Sequence, residues 1–379
     1  MTENQQENRL PFPSVIGQRK ARLSLFKALS GNRLSHGYLF AGPPGTGRSA
    51  LAIELARTLS CTGEIIHSAY DECECNACYN MRKWQHPNLT MLFPLPPMET
   101  KKDETTVGTL FEELRKSKAE DPYSQLQFKG SGQILIWQIR ELRNKMSLAP
   151  DRDGTRVAII QPADRMNKHA SNALLKLLEE PPKRCTLILI TDSLKSLPAT
   201  IVSRCQVLRF APLGTRIIAE ELQNRTGVSE KKANPVARMA RGNYSLAVSL
   251  LDEGLSDQLD ESLAFLRATA VNNAAQISEY VTKWSRGYSK QEITNKLNNL
   301  SVWLKDAMIT QSFDEEHALT YLSTTGHIKV IQKIADRYST EQLSMVWKEI
   351  EEAKLGLDSN VMISLVISSL AVKMFRIFR

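Results

Sequence analysis

Long hydrophobic runs are scarce in this chain of 379 residues. The longest uncharged apolar stretch, from Val361 to Val372, falls short of the about 20 residues that a membrane-spanning helix needs. The residues after Met1 are polar through Asn8, so they lack the apolar region of a secretory signal. These absences predict a cytoplasmic protein with no membrane partner.

Paired carboxylates at the spacing of a two-metal site are also missing, which argues against polymerase chemistry in this chain. Lys and Arg number 49 against 41 Asp and Glu, a net charge of +8, and 42% of the residues are hydrophobic. The composition is that of a globular protein of two or three domains. The positive balance permits either contact with nucleic acid or a basic surface without a specific partner.

Cysteine is limited to six residues, of which four are clustered. In a reducing cytosol a cluster favours a metal site over disulfides, and four thiolates suit tetrahedral Zn²⁺. The spacing is irregular and tighter in one place than the usual C-x₂-C, so two alternatives stay open: one ligand replaced, with His67 as the candidate, or no metal. The predicted ligands of a structural zinc ion are Cys61, Cys73, Cys75 and Cys78.

Lysine is missing from an otherwise complete phosphate-binding loop, Gly-Pro-Pro-Gly-Thr-Gly-Arg-Ser, at residues 42–49. In G-x-x-x-x-G-K-[ST] the backbone amides cradle phosphates, the lysine reaches the β- and γ-phosphates and the hydroxyl holds Mg²⁺. A predicted strand, Tyr38 to Ala41, precedes the loop and a predicted helix, Ala50 to Leu59, follows it. Arginine is planar and bulky and does not replace a compact ammonium. The loop residues that would contact nucleotide are Gly42, Gly45, Thr46, Gly47, Arg48 and Ser49.

The acid that should hold Mg²⁺ at the end of a neighbouring strand is missing too. The candidate strand is Arg156 to Ile160, and an amide and a proline, Gln161 and Pro162, follow it. Neither side chain offers a carboxylate, while Asp164 lies too far along the chain and is predicted to cap the next helix. These two independent losses speak against hydrolysis by this chain, make binding of ATP and Mg²⁺ doubtful, and leave open whether nucleotide binds passively.

Strand-like and helix-like segments alternate along the first half of the chain, which predicts a parallel sheet covered by helices. A segment rich in Lys, Glu, Pro and Ser, about 92–132, interrupts the pattern and is predicted to be a mobile surface insertion with a local helix. Beyond Pro212 and Gly214 helical periodicity takes over, so the predicted fold is α/β and then all-α. One predicted helical core stripe consists of Leu297, Leu300, Leu304 and Ala307.

An arginine lies in the tripeptide Ser203-Arg204-Cys205, ahead of a short predicted strand. Alone the tripeptide is a weak signal, because a surface arginine is the ordinary case. A subunit that has lost its own site can still complete a neighbour's, since a guanidinium offered in trans stabilises the charge of phosphoryl transfer. Beside a degenerate loop, Arg204 is therefore predicted to be catalytic in trans.

Several segments together resemble the bacterial clamp-loader subunits of DNA polymerase III, which are of the AAA+ class, and the delta-prime subunits above all. The most specific are the run from Asn172 to Pro182 and Ile201-Val-Ser-Arg-Cys-Gln206. Phe12-Pro-Ser-Val-Ile-Gly-Gln18, His36-Gly-Tyr-Leu-Phe40 and the cysteine module support them. The resemblance runs from Phe12 to about Phe210 and is fainter beyond.

This resemblance implies a P-loop AAA+ ATPase-like domain at 1–212 with an inserted zinc module at about 61–78, a helical lid at 213–275 and a C-terminal helical collar at 276–379. It implies a stator subunit of the polymerase holoenzyme without intrinsic ATPase or polymerase activity. Its partners would be the other subunits of a hetero-pentamer, a sliding clamp and, through the complex, primer-template DNA. The alternative is an active ATPase subunit of the gamma or tau kind. A third hypothesis, a stand-alone DNA-binding protein, rests on charge only.

Overall fold

A computed structural model describes residues 10–63, 69, 73–95, 103–124, 132–151, 154–252, 255–288, 290–314, 321–324, 327–359 and 361–379. The chain divides into two compact units. The first comprises Met1–Glu221 and Arg241–Leu246, and the second comprises Leu222–Ala240 and Ala247–Arg379. Whether the helices beyond residue 212 divide further into a lid and a collar stays a prediction.

The first unit is built on a five-stranded sheet in which every pairing is parallel. The spatial order is β2-β3-β4-β1-β5. All residues of β1 and β4 are buried, as expected for continuous apolar runs in a sheet covered on both faces. The strands are β1 Gly37–Ala41, β2 Leu89–Leu92, β3 Arg156–Ile160, β4 Cys185–Thr191 and β5 Gln206–Arg209.

The carboxyl ends of these parallel strands share one edge of the sheet, which is where ligands of open α/β folds bind. Leu39 of β1 pairs with Leu189 of β4 on one side and with Val207 of β5 on the other. β4 lies between β1 and β3, and both of its pairings are parallel. The phosphate loop after β1 and Gln161 after β3 therefore leave the sheet at the same edge. The sheet therefore assembles the two halves of the predicted nucleotide site.

The helices of the first unit surround this sheet. The helix that follows the phosphate loop is buried along its whole length, and the next large pair packs its apolar faces, with Leu142 and Leu174, into the sheet core. The helices are α1 Arg19–Ser30, α2 Arg48–Ser60, α3 Asn76–Arg82, α4 Asp103–Glu120, α5 Ile136–Ser147, α6 Lys168–Glu179 and α7 Ala199–Val202; α8, Thr215–Thr226, begins in this unit.

The segment predicted as a surface insertion contains the helix α4, in the region where the sequence indicates a local helix. Its surface location is wrong for three side chains, because Leu114, Lys118 and Tyr123 are buried. Leu114 and Lys118 lie four residues apart on one helical face, and Phe111 packs against Phe93 beside the sheet, with ring centroids 5.7 Å apart. An apolar stripe thus holds α4 against the unit.

The second unit, within the residues described, consists of helices, so the prediction of an α/β fold followed by an all-α region is confirmed. The predicted core stripe from Leu297 to Ala307 is fully buried. Among the helices that the structure describes, none combines the length and apolar composition of a membrane span. The helices are α9 Glu230–Met239, α11 Leu255–Ala270, α12 Ala274–Gly287, α13 Lys290–Ser312, α14 Ile328–Arg337, α15 Thr340–Asp358 and α16 Ile363–Phe378; α10, Tyr244–Asp252, begins in the first unit.

Candidate phosphate and metal sites

The phosphate loop connects β1 to the N-terminus of α2, whose first amides point toward the loop as in anion-binding helices. Gly45 and Gly47 have positive φ angles of 68° and 94°. A side chain at Gly45 would collide with the amide oxygen of Asn243, and a Cβ at Gly47 would lie 2.9 Å from the hydroxyl of Tyr123. Glycine is needed at both positions because other parts of the same unit press on the loop.

Arg48, which stands in the place of the lysine, turns to the end of β4. Its Nη1 donates to the carbonyl oxygen of Thr191 at 2.5 Å, and its Nη2 forms an ion pair with Asp192 Oδ1 at 2.6 Å. The side chain is 7% exposed. Its guanidinium therefore fastens the loop to the sheet instead of extending toward the β- and γ-phosphates.

Ser49, the predicted Mg²⁺ ligand, is engaged with the amide that replaces the strand-end acid. Its Oγ donates to Gln161 Oε1 at 2.7 Å. The predicted capping role of Asp164 is wrong, because the side chain of Asn167 accepts from the amide of Ala170 and caps α6. Asp164 Oδ1 instead accepts a hydrogen bond from Thr191 Oγ1 at 2.8 Å, so it joins the ends of β3 and β4.

A lysine from α4 supplies a positive charge that the sequence pattern did not reveal. Lys118 is 2% exposed, and its Nζ donates to Ser49 Oγ at 3.4 Å and to the carbonyl oxygens of Pro122 and Ser124 at 3.2 and 2.5 Å. Burial lowers the pKa of Lys118 to about 7, with Asp121 opposing this effect and the charge of Arg48 adding to it. Its position four residues after Leu114 on the apolar face was the available signal.

The four clustered cysteines come together as predicted, with sulfur atoms all within 4.8 Å of one another. Cys61 Sγ lies 3.6 Å from Cys73 Sγ and 4.0 Å from Cys75 Sγ. Four sulfurs around a Zn²⁺ at about 2.3 Å are separated by about 3.8 Å, so the donor set fits this ion. His67 lies outside the described residues.

Hydrogen bonds from nearby groups to the sulfur atoms favour the thiolate form that binds a cation. Cys75 precedes α3, and its Sγ accepts from the amide of Cys78 at 3.4 Å. Burial raises the pKa of the Cys75 thiol, but hydrogen bonds from Thr62 and Cys78 outweigh it and lower the pKa to about 5. The sequence did not reveal Arg57 of α2, whose Nη1 donates to Cys78 Sγ at 3.6 Å while Nη2 pairs with Glu54 Oε2 at 2.9 Å.

Arg204 lies after α7, at the opposite edge of the sheet from the phosphate loop. The next strand residue, Gln206, pairs with Tyr38 near the start of β1. β1 runs from Gly37 to Ala41, which separates Arg204 from the loop by about 13 Å at about 3.3 Å per residue. The guanidinium pairs with Glu179 Oε1 at 2.8 Å, donates to the carbonyl oxygen of Thr200 at 3.1 Å, and leaves the side chain 38% exposed.

Comparison with known proteins identifies the relatives of a chain with this sheet, loop and cysteine cluster. The family described as "DNA polymerase III, delta subunit" matches residues 17–214, just over half of the chain. The chain belongs to this family. The resemblance to the clamp-loader subunits of DNA polymerase III is thereby confirmed, and the structure contains the predicted parallel sheet covered by helices.

Individual relatives include both kinds of clamp-loader subunit. The tau subunit of Bacillus subtilis (strain 168) is 28% identical over 353 residues, which cover 88% of this chain and 54% of that protein. The delta' subunit of the same strain is 31% identical over 241 residues, or 63% of this chain and 60% of that protein. The tau subunit of Escherichia coli (strain K12) is 27% identical over 250 residues, or 65% and 33%. The chain thus spans between a third and three fifths of these relatives.

Among solved structures, a DNA polymerase III gamma subunit-related protein from Thermotoga maritima is 14% identical, with a TM-score of 0.41 and coverage of 94% of this chain and 100% of that one. A likeness of this degree supports no further conclusion. Since delta' and tau relatives both match, the family membership does not distinguish a non-hydrolysing subunit from an ATPase subunit.

Proposed function

We propose that this chain is the stator, or delta-prime, subunit of a clamp loader, which hydrolyses no ATP itself and offers Arg204 to the ATP site of a neighbouring subunit. The position of Arg204 carries the proposal. The residue is separated from the chain's own loop by the length of β1, and its guanidinium is part-exposed. If it acts on a phosphate, that phosphate belongs to another chain.

The chain's own loop supports a subunit without hydrolysis. Arg48 is bound to Thr191 and Asp192, and the Ser49 hydroxyl is bound to the Gln161 amide. A working site would require a lysine on the phosphates and a carboxylate for Mg²⁺. Neither group is supplied by the loop or by the end of β3.

The ion pair between Arg204 and Glu179 is compatible with transfer of the arginine to a neighbour's nucleotide. Both side chains are well exposed, at 38% and 48%. Exposed pairs of this kind contribute about 0–1 kcal/mol, so exchanging Glu179 for a phosphate costs little. A planar guanidinium also matches phosphate oxygens with two parallel hydrogen bonds.

The partners follow from the same proposal. Apolar side chains are exposed on α15 and α16, and solvent-facing apolar surface of this kind suits contacts with the helices of other subunits. We assign these helices to the collar of a hetero-pentamer, and the sliding clamp and primer-template DNA to contacts made by the whole complex. A structural Zn²⁺ held by the four cysteines would cross-link the loop-rich module. The exposed side chains include Trp347, Leu355, Leu365 and Val372.

The test is the ATPase of a reconstituted loader that contains Arg204→Ala. We expect normal assembly and a several-fold loss of clamp- and DNA-stimulated ATPase activity. An arginine supplied in trans raises the rate of hydrolysis by about 10³–10⁵-fold at a single site, and the other sites of a ring would dilute the effect of losing it. Arg209→Ala, which removes an exposed arginine from the same strand segment, is the matched control and should change neither quantity. Normal ATPase in an assembled Arg204→Ala complex would refute the trans role.

The second candidate is an active ATPase of the gamma or tau kind. It is favoured by the match to a tau subunit over 88% of this chain. ATP turnover by the isolated chain, abolished by Ser49→Ala, would establish this alternative and exclude the stator.

A further inference from the structure

The segment 103–124, here called the α4 segment, is the part of the insertion that the structure describes in contact with the phosphate loop. We propose that it is a built-in plug: the Lys118 ammonium takes the place of Mg²⁺ and Tyr123 covers Gly47, so that the loop is closed to MgATP. This inference concerns the isolated chain and goes beyond the proposed action of Arg204 on a neighbour.

The first part of the proposal, that Lys118 takes the place of Mg²⁺, rests on the surroundings of Ser49. In a working loop this hydroxyl is a direct ligand of Mg²⁺, at about 2.0–2.1 Å. Here the hydroxyl donates to Gln161 Oε1 at 2.7 Å and accepts from Lys118 Nζ at 3.4 Å. The hydroxyl thus both donates and accepts a hydrogen bond, and the buried Lys118 amine stands beside it. A divalent cation cannot enter unless Lys118 leaves.

Lys118 is held at this position by its own segment. Two of its three acceptors are the carbonyl oxygens of Pro122 and Ser124, in the turn that follows α4. The charged groups that act on it are Asp121, in the same turn, and Arg48, on the loop. Even as a neutral amine the side chain retains hydrogen atoms to donate, so the contact does not depend on full protonation.

The second part of the proposal is that Tyr123 covers Gly47 of the phosphate loop. Its hydroxyl lies against Gly47 and accepts from the backbone N–H of Ile16 at 2.6 Å. Its carbonyl oxygen accepts from Ser245 Oγ, and its ring meets that of Tyr244 edge to face, with centroids 5.2 Å apart. The ring is therefore fixed from two sides of the unit, and phosphate would have to displace a buried, hydrogen-bonded tyrosine to approach Gly47.

The experiment restores the missing lysine and asks whether the plug still prevents binding. The full chain is prepared as Arg48→Lys, as Arg48→Lys with Lys118→Ser and Tyr123→Ala (the opened variant), and as Arg48→Lys with Lys116→Ser. Lys116 is exposed on the same helix and serves as the matched control. MgATP binding is measured by titration calorimetry.

We expect the opened variant to bind MgATP at least about tenfold more tightly than Arg48→Lys alone, a difference of about 1.4 kcal/mol. The Lys116→Ser control should match Arg48→Lys. The proposal is overturned if Arg48→Lys alone binds as tightly as the opened variant. It is also overturned if the opened variant does not bind, since the α4 segment would then not be what closes the loop.

A measurement on the unmodified chain keeps the proposal testable should a variant fold poorly. Amine acetylation followed by mass spectrometry compares Lys118 with Lys116. We expect Lys118 to react at least about tenfold more slowly, because it reacts only when the segment opens, and to be unaffected by MgATP. A low pKa alone would speed the reaction, so slow labelling reports burial. Equal rates, or faster labelling of Lys118 with MgATP, would overturn the plug.

Discussion

Replacing Arg57 by methionine should destabilise α2 and the cysteine cluster together. The Arg57 side chain is 1% exposed, and its partner Glu54 is 9% exposed at 2.9 Å. Removing one member of a buried pair leaves the other charge uncompensated, which costs about 3–5 kcal/mol. The variant also removes the hydrogen bond to Cys78 Sγ. We therefore expect a loss of this size, largely from Glu54.

The assay is hydrogen exchange of the α2 amides, because two compact units make a single unfolding transition an unsafe measure. A loss of about 3–5 kcal/mol lowers protection by about 10²–10⁴-fold. The double variant Glu54→Met with Arg57→Met leaves no charge unpaired, so most of the protection should return. Glu141→Met breaks the ion pair with Lys145, whose side chains are 52% and 51% exposed. This change should lower stability by at most about 1 kcal/mol.

Two results would refute this reasoning. If the single and double variants lose the same protection, the uncompensated Glu54 charge is not the cause. If Arg57→Met loses no more protection from exchange than Glu141→Met, the buried ion pair contributes no more to stability than a surface pair. Zinc content measured in parallel separates the two roles of Arg57, since outer-shell partners of metal ligands change metal affinity by about 10–100-fold.

Three further predictions follow from the sites. The purified chain should contain one zinc ion. Cys73→Ser should lower this content, and Cys205→Ser should leave it unchanged. Metal analysis that finds well below one zinc per chain would contradict the assignment. The free energy of unfolding of the first unit, followed separately from that of the second, should be compared between the wild type and Lys118→Met. The difference, wild type minus variant, should rise between pH 7 and pH 10 by at most about 1.4 kcal/mol per pH unit. The unfolded lysine, with its ordinary pKa, binds more protons there than the folded one, whose pKa is about 7; a flat difference would contradict its burial. Leu365→Glu, at an exposed position of α16, should leave helix content unchanged and weaken incorporation into the loader in a pull-down assay, and full incorporation would count against the collar.

The sheet and its helices were predictable because their signals are local. β4 is an unbroken apolar run, as parallel strands buried on both faces are, and the glycine pattern of the loop marks the junction of β1 and α2. The cysteine cluster was predictable for the same reason, since three of its members fall within six residues. Residue types and short spacings suffice for such features.

The contacts of Lys118 and Tyr123 around the loop were not predictable because they join distant parts of the chain. Lys118 and Ser49 are 69 residues apart, and Tyr123 and Ser245 are 122 apart. Composition marked the insertion as polar, and the one signal that a lysine shares its apolar face, the four-residue spacing of Leu114 and Lys118, was not used in the prediction. The wrong capping role of Asp164 has a similar cause, because its partner, Thr191, comes from another strand.

The energetics of the two sheet edges differ in a way that fits a stator. At the carboxyl edge, phosphate binding would break the buried hydrogen bond of Arg48 to Thr191, and a hydrogen bond of a charged group contributes about 1.5–3 kcal/mol. Any nucleotide must first offset this loss. At the opposite edge, Arg204 gives up an exposed pair with Glu179, worth about 0–1 kcal/mol, and an exposed hydrogen bond to the carbonyl oxygen of Thr200. Under the proposed function, the chain would resist phosphate at its own loop and offer an arginine to another chain at little cost.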